Sequence, residues 1–321
     1  MKKKSSISAE RSSLPIQIDA VKPANLIQAL DAVRGCLKAT SMLWMRSLGL
    51  PTLSGVIVSN WSSASAAAVR SFSLKHAYSS LLLRIDKRDE RWTKRRGGYI
   101  LPISQVPGTV RELKKEGMIA VLLEPASPYK DLYSLAAVFD PARKILLIEV
   151  VGPGFDASDI LRSDMSPHER WEIAIRPIAS GNQGTEIERK SLYRISSEDY
   201  KKSVATRLTK IGARLRNPAF PTLYPEPSKS EFTSLRQEAT DFLRKSRQTA
   251  LLDNSDIYHP IPSACIDSFT DNVMKLLSGL SGYGIHLGPS SFAASVLPKR
   301  GLVFWDFFPA RKNEAVALYP R

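Results

Sequence analysis

Five apolar segments between residues 47 and 140 indicate the fold: SLGLPTLSGVIVS at residues 47–59, SSLLLRIDK at 79–87, RRGGYILPIS at 95–104, GMIAVLLEP at 117–125 and DLYSLAAVFD at 131–140. Short apolar runs bounded by glycine, proline and charged residues are typical of strands. The segments Ser62–Ala77 and Val106–Glu116 have helical spacing. Strands and helices are therefore interleaved, which favours an α/β or α+β fold, and we predict α+β.

Length and composition narrow the class of protein. The chain has 321 residues, 43% of them hydrophobic, which suits one large domain or two to three subdomains. No apolar run approaches the roughly 20 residues of a membrane helix, and no apolar segment of a signal peptide follows the first lysines. Cys36 and Cys265 are too few for a disulfide framework, so we expect a cytoplasmic protein.

The charge balance favours anionic partners. A formal net charge of +15 suits nucleic acid, an anionic lipid surface or a phosphorylated small molecule. It equally suits a soluble protein with a lysine-rich surface. The densest basic cluster is KRDERWTKRR at residues 87–96.

The spacing of apolar, proline and glycine residues outside residues 47–140 predicts the remaining helices and strands. Residues 1–22 form a flexible basic arm, Pro23 opens a helix, and Gly49 ends a second helical pattern. Tyr133–Phe139 and Lys144–Val151 predict a hairpin. Further predictions are an irregular charged segment at 155–188, helices at 197–215, 228–251 and 265–280, and a final strand at 301–308.

Cations and glycines in the central stretch suit a nucleoside triphosphate. Arg84 and Lys87 close an apolar strand, and Gly97 and Gly98 follow two arginines. Glycines let backbone N–H groups approach phosphate oxygens, although a solvated basic hairpin tip would have the same sequence. Lys38 is either a third cation or an exposed helix lysine. The chain has no Walker-type P-loop.

Carboxylates supply candidates for ribose and metal binding. Glu124 ends an apolar strand, where it suits a ribose hydroxyl or a surface position. Asp306 lies inside the apolar run LVFWDFFPAR, and a buried carboxylate requires a cation or a metal beside it. Arg311 is a candidate partner for it or a substrate clamp. Glu149 is a second candidate metal ligand, whereas Asp156 and Asp159 suit helix capping.

Other chemistries lack support in the sequence. His76, His168, His259 and His286 have no metal-like spacing, and we interpret them as structural. No GxSxG motif and no Cys–His signature is present, which leaves a nucleophilic hydrolase without support.

The order of these motifs resembles the ATP-grasp superfamily. Lys38, the Gly49–Pro51 turn and the strand GVIV are similar to the start of its first lobe. LLLRIDK is similar to its phosphate-binding strand, RRGGY to its glycine-rich loop and VLLEP to its adenosine hinge. DLYSLAAVFD and WDFFPAR are similar to its two later strands. Asp306 and Phe308 stand where that pattern usually has Glu and Asn.

The resemblance implies two α/β lobes with a nucleotide cleft between them. The lobes would span residues 23–118 and 119–321, the second with a helical insertion around 155–280. It implies ATP and Mg²⁺ as cofactors, with Asp306 and Glu149 as metal ligands and Arg311 as the catalytic residue. The nucleotide ligands would be Lys38, Arg84, Lys87, Gly97, Gly98 and Glu124.

Three functions follow as hypotheses. The first is an ATP-dependent ligase that activates a carboxylate as an acyl phosphate for attack by an amine or thiol. The second is a catalytically degenerate ATP-grasp protein that binds nucleotide or a partner. It is favoured by the missing Asn and by the segment GIHLGPSSFAAS before the last strand, which lacks the acidic residue expected there. The third is a basic nucleic-acid-binding protein, ranked lowest because few aromatics accompany the basic clusters.

Overall fold

The computed structural model describes residues 14–87, 99–126, 130–156, 166–177, 185–216 and 229–309. In these residues helices accompany two sheets whose assigned strand registers are all antiparallel, so the predicted α+β class is confirmed. The helices of eight or more residues are α1 (Pro23–Ala32), α2 (Leu37–Ser47), α3 (Ser63–Lys75), α4 (Val106–Lys115), α5 (Ser197–Arg216), α6 (Lys229–Lys245) and, after the short α7 (Ala250–Asp253), α8 (Ser263–Gly282).

The strands form two sheets. The first contains β1 (Ile16–Gln17), β2 (Gly55–Val58), β3 (Ser80–Lys87), β4 (Tyr99–Pro102) and β5 (Met118–Leu123), in the order β1-β2-β5-β3-β4. The second contains β6 (Tyr133–Asp140), β7 (Ile145–Val151), β8 (Glu169–Pro177), β9 (Thr185–Arg194), β10 (Ser290–Leu297) and β11 (Gly301–Pro309), in the order β11-β10-β6-β7-β8-β9.

The chain divides into two compact units. Over the described residues, the first runs to Ala126 and also includes Phe269–Phe292 and the residues from Val303 onward. The lobe boundary that we predicted after residue 118 falls inside β5, directly after its first residue, whereas the first compact unit includes the whole of this strand. The reason is that β5 pairs with β2 on one side and with β3 on the other.

One hydrophobic cluster of the first unit lies on one face of its sheet. Alternate residues of the central strands point into it, among them Leu81, Leu83 and Ile85 of β3. Apolar residues of α3 and α4 cover this face. At Gly55 a Cβ atom would stand 2.3 Å from the carbonyl oxygen of Leu122, so the close pairing of β2 and β5 requires glycine.

Part of the predicted flexible arm is an ordered element. In residues 14–22, Ile16 and Gln17 pair with Ile57 and Val56 of β2, and Ile18 is fully buried. Burial of Ile18 and the pairing of two residues with β2 stabilise the folded form of this short segment, although most of the predicted arm is polar. Residues 1–13 lie outside the described part of the chain.

The second unit consists of residues Ser127–Ser268 and Ala293–Leu302. The predicted hairpin is confirmed as β6 and β7. The prediction of an irregular segment at 155–188 is wrong, because β8 lies within it and β9 begins in it. No helix in the described residues is long and apolar enough to cross a bilayer.

Candidate nucleotide site

Strand β3 carries two charged side chains, Arg84 and Asp86, on the face opposite the hydrophobic cluster. Since Leu83 and Ile85 point into the core, the alternation of a strand directs Arg84 and Asp86 to the other face. Arg84 is 8% exposed and Asp86 is fully buried. Two buried charges on one face of one strand require partners from elsewhere in the chain.

The partner of Arg84 is Asp306. The Nη2 of Arg84 donates to the Oδ2 of Asp306, and its Nη1 donates to the carbonyl oxygen of Trp305 at 3.0 Å. The side chains are 10% and 13% exposed, so this is a nearly buried ion pair. The structure thus brings together two predicted site residues that are 222 positions apart in sequence.

Backbone contacts hold β11 in the position that this pair needs. The N–H of Phe304 donates to the carbonyl oxygen of Pro51 at 2.8 Å, and the N–H of Phe307 donates to the Oγ of Ser41 at 2.8 Å. The turn before β2 and helix α2 therefore both fix the strand on either side of Asp306.

Asp86 caps helix α2 from the neighbouring strand. Its Oδ2 accepts from the backbone N–H of Ala39 at 3.0 Å, and its Oδ1 accepts from that of Lys87 at 3.1 Å. Cys36, the N-cap residue of α2, makes no side-chain cap. A carboxylate here satisfies an N–H of the first turn and interacts favourably with the helix dipole.

Lys38 lies in the first turn of α2, next to the residue that Asp86 holds. Its Nζ donates to the carbonyl oxygen of Ile85 at 3.0 Å, and the side chain is half-buried. The predicted alternative of a fully exposed helix lysine does not describe this position. The ammonium group and the Arg84 guanidinium therefore both lie along β3.

Replacing Asp86 by alanine is expected to lower the free energy of unfolding by about 1 to 3 kcal/mol, because the buried N–H of Ala39 loses its acceptor. Urea denaturation would measure the change. Asp31→Ala is the matched control, since Asp31 is 54% exposed and pairs only on the surface with Arg34 in the described contacts. Equal losses in the two variants would contradict the capping role.

Glu124 lies on the other face of the sheet from Arg84. It is 5% exposed; its Oε1 accepts from the N–H of Ser54 and its Oε2 from the hydroxyl of Tyr78, both at 3.0 Å. Tyr78 packs against the core on the face of Leu83. The structure does not bring Glu124 to the Arg84–Asp306 pair. The predicted alternative of a surface position does not describe Glu124 either, because its side chain is buried.

Glu149 belongs to the second unit and has a partner there. It stands opposite Arg170 in the pairing of β7 with β8. The Nε and Nη2 of Arg170 donate to the Glu149 Oε1 at 3.0 and 2.6 Å. A cross-strand ion pair accounts for this carboxylate without a metal.

The fit to Mg²⁺ is incomplete in the described residues. The Oδ1 of Asp306 is buried and has no hydrogen-bond partner in the structure, which suits a cation. However, no group of three or more His, Cys, Asp or Glu in the described ranges could hold a metal ion. We therefore derive no chemical step through magnesium.

The remaining predicted site residues are Lys87, Gly97, Gly98 and Arg311. Lys87 is half-buried at the end of β3, and Gly97, Gly98 and Arg311 lie outside the described residues.

A histidine network in the second unit was missed at the level of sequence. His168 is fully buried against the rings of Phe155, Tyr200 and Tyr258. The N–H of Gly152 donates to its Nδ1 at 2.9 Å, and its Nε2 lies 3.1 Å from the Oγ of Ser203. Burial lowers the pKa of His168 to about 3, so the ring is neutral.

The chain is similar to solved structures but not to any family model or curated protein. No family model matches the chain, and no curated protein matches it. Among solved structures the chain is similar to D-cycloserine synthetase DcsG, with 8% identity over 86% of this chain and 65% of that one, and a TM-score of 0.34. It is similar to macrocyclase MdnC bound with precursor peptide MdnA from Microcystis aeruginosa MRC, with 8% identity over 86% and 58%, and a TM-score of 0.33.

A third similar structure is VanG D-Ala:D-Ser ligase from Enterococcus faecalis, with 10% identity over 91% of this chain and 62% of that one, and a TM-score of 0.35. The chain thus spans 58% to 65% of the length of these three proteins. Because the TM-scores are below 0.5, these similarities carry no weight for the function of this chain.

Proposed function

We propose that the chain binds ATP and is an ATP-dependent ligase, which activates a carboxylate as an acyl phosphate for attack by an amine or a thiol. One observation carries the proposal: Arg84 and Asp306 are in contact on β3 and β11. These two residues belong to the motifs that resemble the phosphate-binding and magnesium-binding strands of ATP-grasp proteins. Lys38 adds a second cation beside the same strand.

The proposed reaction has two steps. An oxygen of the substrate carboxylate attacks the γ-phosphorus of ATP, the bond to the bridging oxygen breaks, and ADP leaves with the electron pair. The amine or thiol then attacks the acyl carbon, releases inorganic phosphate and loses a proton. Negative charge builds up on the leaving ADP in the first step and on the leaving phosphate in the second, so fixed cations stabilise both steps.

The side chains have distinct parts in this proposal. Lys38, Arg84 and Lys87 neutralise the phosphates, and Gly97 and Gly98 cover them. Glu124 has no part in the proposed site, because it lies on the other face of the sheet from Arg84 and its carboxylate is bonded to Ser54 and Tyr78. Arg311 orients the acyl phosphate.

Arg84 has to change partner when nucleotide binds. Its guanidinium donates to Asp306 in the structure, and a phosphate oxygen is an acceptor of the same charge. The carboxylate therefore competes with ATP. A variant that weakens this competition while keeping the arginine should bind nucleotide more tightly.

The second candidate function is a nucleotide-binding protein without turnover. The occupied guanidinium of Arg84 and the lack of a metal-binding group in the described residues favour it. The nucleic-acid hypothesis stays a prediction from the net charge of +15.

Replacing Asp306 by asparagine is expected to strengthen ATP binding about tenfold, because Arg84 loses its charged competitor. Arg84→Lys is expected to weaken binding by a similar factor, since lysine cannot form the bidentate fork. Calorimetric titration with a non-hydrolysable ATP analogue, with and without magnesium chloride, would measure both. Arg46→Lys is the control, because Arg46 pairs with Asp19 at 2.9 Å in the same unit.

Three results of these experiments have different consequences for the two candidate functions. Absence of ATP binding by the wild-type protein, or identical affinities in all four proteins, would overturn the nucleotide site. Binding without phosphate release, over a broad panel of carboxylic acids and amines, would reject the ligase and support the second candidate. Phosphate release that depends on one acid would support the ligase.

A further inference from the structure

The second unit contains a buried cluster of oxygen atoms around the carboxylate of Asp131. The Oγ of Ser134, in β6, lies 3.3 Å from the Oδ2 of Asp131 and 3.0 Å from the carbonyl oxygen of Phe155. It also lies 3.1 Å from the Oγ of Ser295 in β10. Asp131, Ser134 and Ser295 are 1%, 0% and 2% exposed. The segment before β6, the turn after β7 and strand β10 therefore each place oxygen atoms in this oxygen cluster.

The oxygen cluster has fewer hydrogen atoms than contacts. Ser134 lies within hydrogen-bond distance of three oxygen atoms, and only one of these contacts can use its own hydroxyl hydrogen. Ser295 can supply the hydrogen for one more contact. An ionised carboxylate and a carbonyl group donate none. When Asp131 is ionised, at least one contact therefore joins two oxygen atoms without a hydrogen between them, and such a contact is unfavourable unless a cation compensates it.

The second oxygen of the Asp131 carboxylate is an independent indication of a missing ligand. Its Oδ1 is buried and has no hydrogen-bond partner in the described part of the chain. A buried acceptor without a partner is costly, and the cost is larger when the group is ionised. Because Asp131 is only 1% exposed, bulk water does not solvate this atom. A cation bound beside the carboxylate would satisfy Oδ1 and the oxygen cluster together.

The charged neighbours of Asp131 do not stabilise its ionised form. Burial and, to a smaller extent, the carboxylate of Asp156 raise the pKa of Asp131 to about 8, and Arg207 lowers it by less than Asp156 raises it. Arg207 also donates to the carbonyl oxygen of Gly154 at 3.3 Å. His168, whose ring contacts Phe155, is neutral because burial lowers its pKa to about 3. Arg207 is therefore not a sufficient counterion for Asp131.

We propose that the oxygen cluster binds an alkali-metal cation, sodium or potassium. Its ligands are the side-chain oxygens of Asp131, Ser134 and Ser295 and the carbonyl oxygen of Phe155. Such oxygens are the ligands that hard cations prefer. A single positive charge neutralises one carboxylate, and the described residues hold no group of three or more His, Cys, Asp or Glu for a metal of higher charge. The site lies wholly in the second unit and does not depend on the proposed nucleotide function.

Urea denaturation of the full chain at pH 9, above the pKa of Asp131, tests the proposal. Three chloride salts are compared at equal ionic strength: sodium, potassium and the large organic cation N-methyl-D-glucamine. We expect at least one alkali ion at about 100 mM to raise the ratio of folded to unfolded protein about tenfold over the organic cation, as a dissociation constant of about 10 mM implies. The more effective ion distinguishes a sodium site from a potassium site.

Variants at the oxygen cluster locate the effect. Asp131→Asn removes the charge and should abolish the difference between the alkali and organic salts, whereas Ser295→Ala removes one ligand and should reduce it. Asp241→Asn is the matched control, because Asp241 is an exposed carboxylate on α6 of the same unit, and it should keep the full difference. Each protein is compared with itself in different salts, so a loss of stability from the substitution itself does not affect the result.

Two results would overturn the cation site. The first is equal stability of the wild-type protein in all three salts. The second is a rise in alkali salt of the same size in the wild type and in Asp131→Asn, because the ion would then bind elsewhere. Neither result bears on ATP binding, which the titration of Asp306→Asn measures separately.

Discussion

Replacing Arg84 by alanine should lower the free energy of unfolding by about 3 to 5 kcal/mol. Asp306 would keep a nearly buried carboxylate without its counterion, since its side chain is only 13% exposed. The carbonyl oxygen of Trp305 would lose the bond from Nη1 as well. Urea denaturation followed by tryptophan fluorescence would measure the loss.

A double variant tests whether the loss of stability comes from the unpaired buried charge of Asp306. Arg84→Met with Asp306→Leu removes both charges, and we expect it to be within about 1 to 2 kcal/mol of the wild type, because an apolar pair avoids the desolvation cost. Arg46→Ala is the exposed control: its pair with Asp19 is 34% and 30% exposed, so the loss should be at most about 1 kcal/mol. If Arg84→Ala cost no more than this control, the pair would be solvated and unimportant to the fold.

The contribution of the Arg84–Asp306 pair to stability affects how nucleotide binding has to be measured. An arginine that stabilises the free protein through Asp306 has to leave that carboxylate when a phosphate binds. The single variants therefore change both stability and affinity, and affinity has to be measured where each variant is folded. Arg84→Lys serves this purpose because it keeps a cation beside Asp306.

The strands of the first sheet were predictable because their apolar residues are continuous and end in clear turns. β3 and β5 are examples, since each has residues buried on both faces. β8 and β9 were missed because their cross-strand partners are charged. Arg176 and Glu188, for instance, pair at 2.7 Å across these two strands. Such pairs stabilise a solvated face and hide the apolar alternation in the sequence.

Side-chain contacts between distant segments were less predictable. The sequence indicates that Asp306 needs a cation beside it, for which Arg311 was the candidate, and the order of motifs placed Arg84 and Asp306 in one site. It does not indicate that they pair with each other, because that depends on how β11 is held by Pro51 and Ser41. One hydrogen-bond partner of Glu124 was likewise unpredictable, since it is the hydroxyl of Tyr78, 46 positions away in sequence.

The pH dependence of stability should be flat in mid-range and should fall above pH 6.5, because two buried groups in the second unit have opposite shifts. Burial raises the pKa of Asp131 from 3.8 to about 8, although hydrogen bonds from Ser295 and Ser134 lower it. Asp131 is 1% exposed, and its Oδ1 has no hydrogen-bond partner in the structure. Burial lowers the pKa of His168 from 6.5 to about 3.

The slope of the free energy of unfolding against pH depends on how many protons the unfolded and folded states bind. Between pH 3.8 and 6.5 the folded state carries the proton on Asp131 and the unfolded state carries one on His168, so the two effects cancel. Between pH 6.5 and 8 only the folded Asp131 is protonated, so each pH unit lowers the free energy of unfolding by about 1.4 kcal/mol.

Replacing Asp131 by asparagine removes the falling limb and exposes the contribution of His168. In this variant the free energy of unfolding should rise by about 1.4 kcal/mol per pH unit from pH 3 to 6.5 and then stay level. His168→Gln should do the reverse, with stability falling steadily from pH 3.8 to 8. Urea denaturation between pH 4 and 8.5 would measure all three proteins. Asp241→Asn and His286→Gln are exposed controls that should follow the wild-type curve. Parallel curves for the wild type and Asp131→Asn above pH 6.5 would mean that Asp131 is ionised in the folded protein, and its burial next to Ser134 would then need a cation to compensate it.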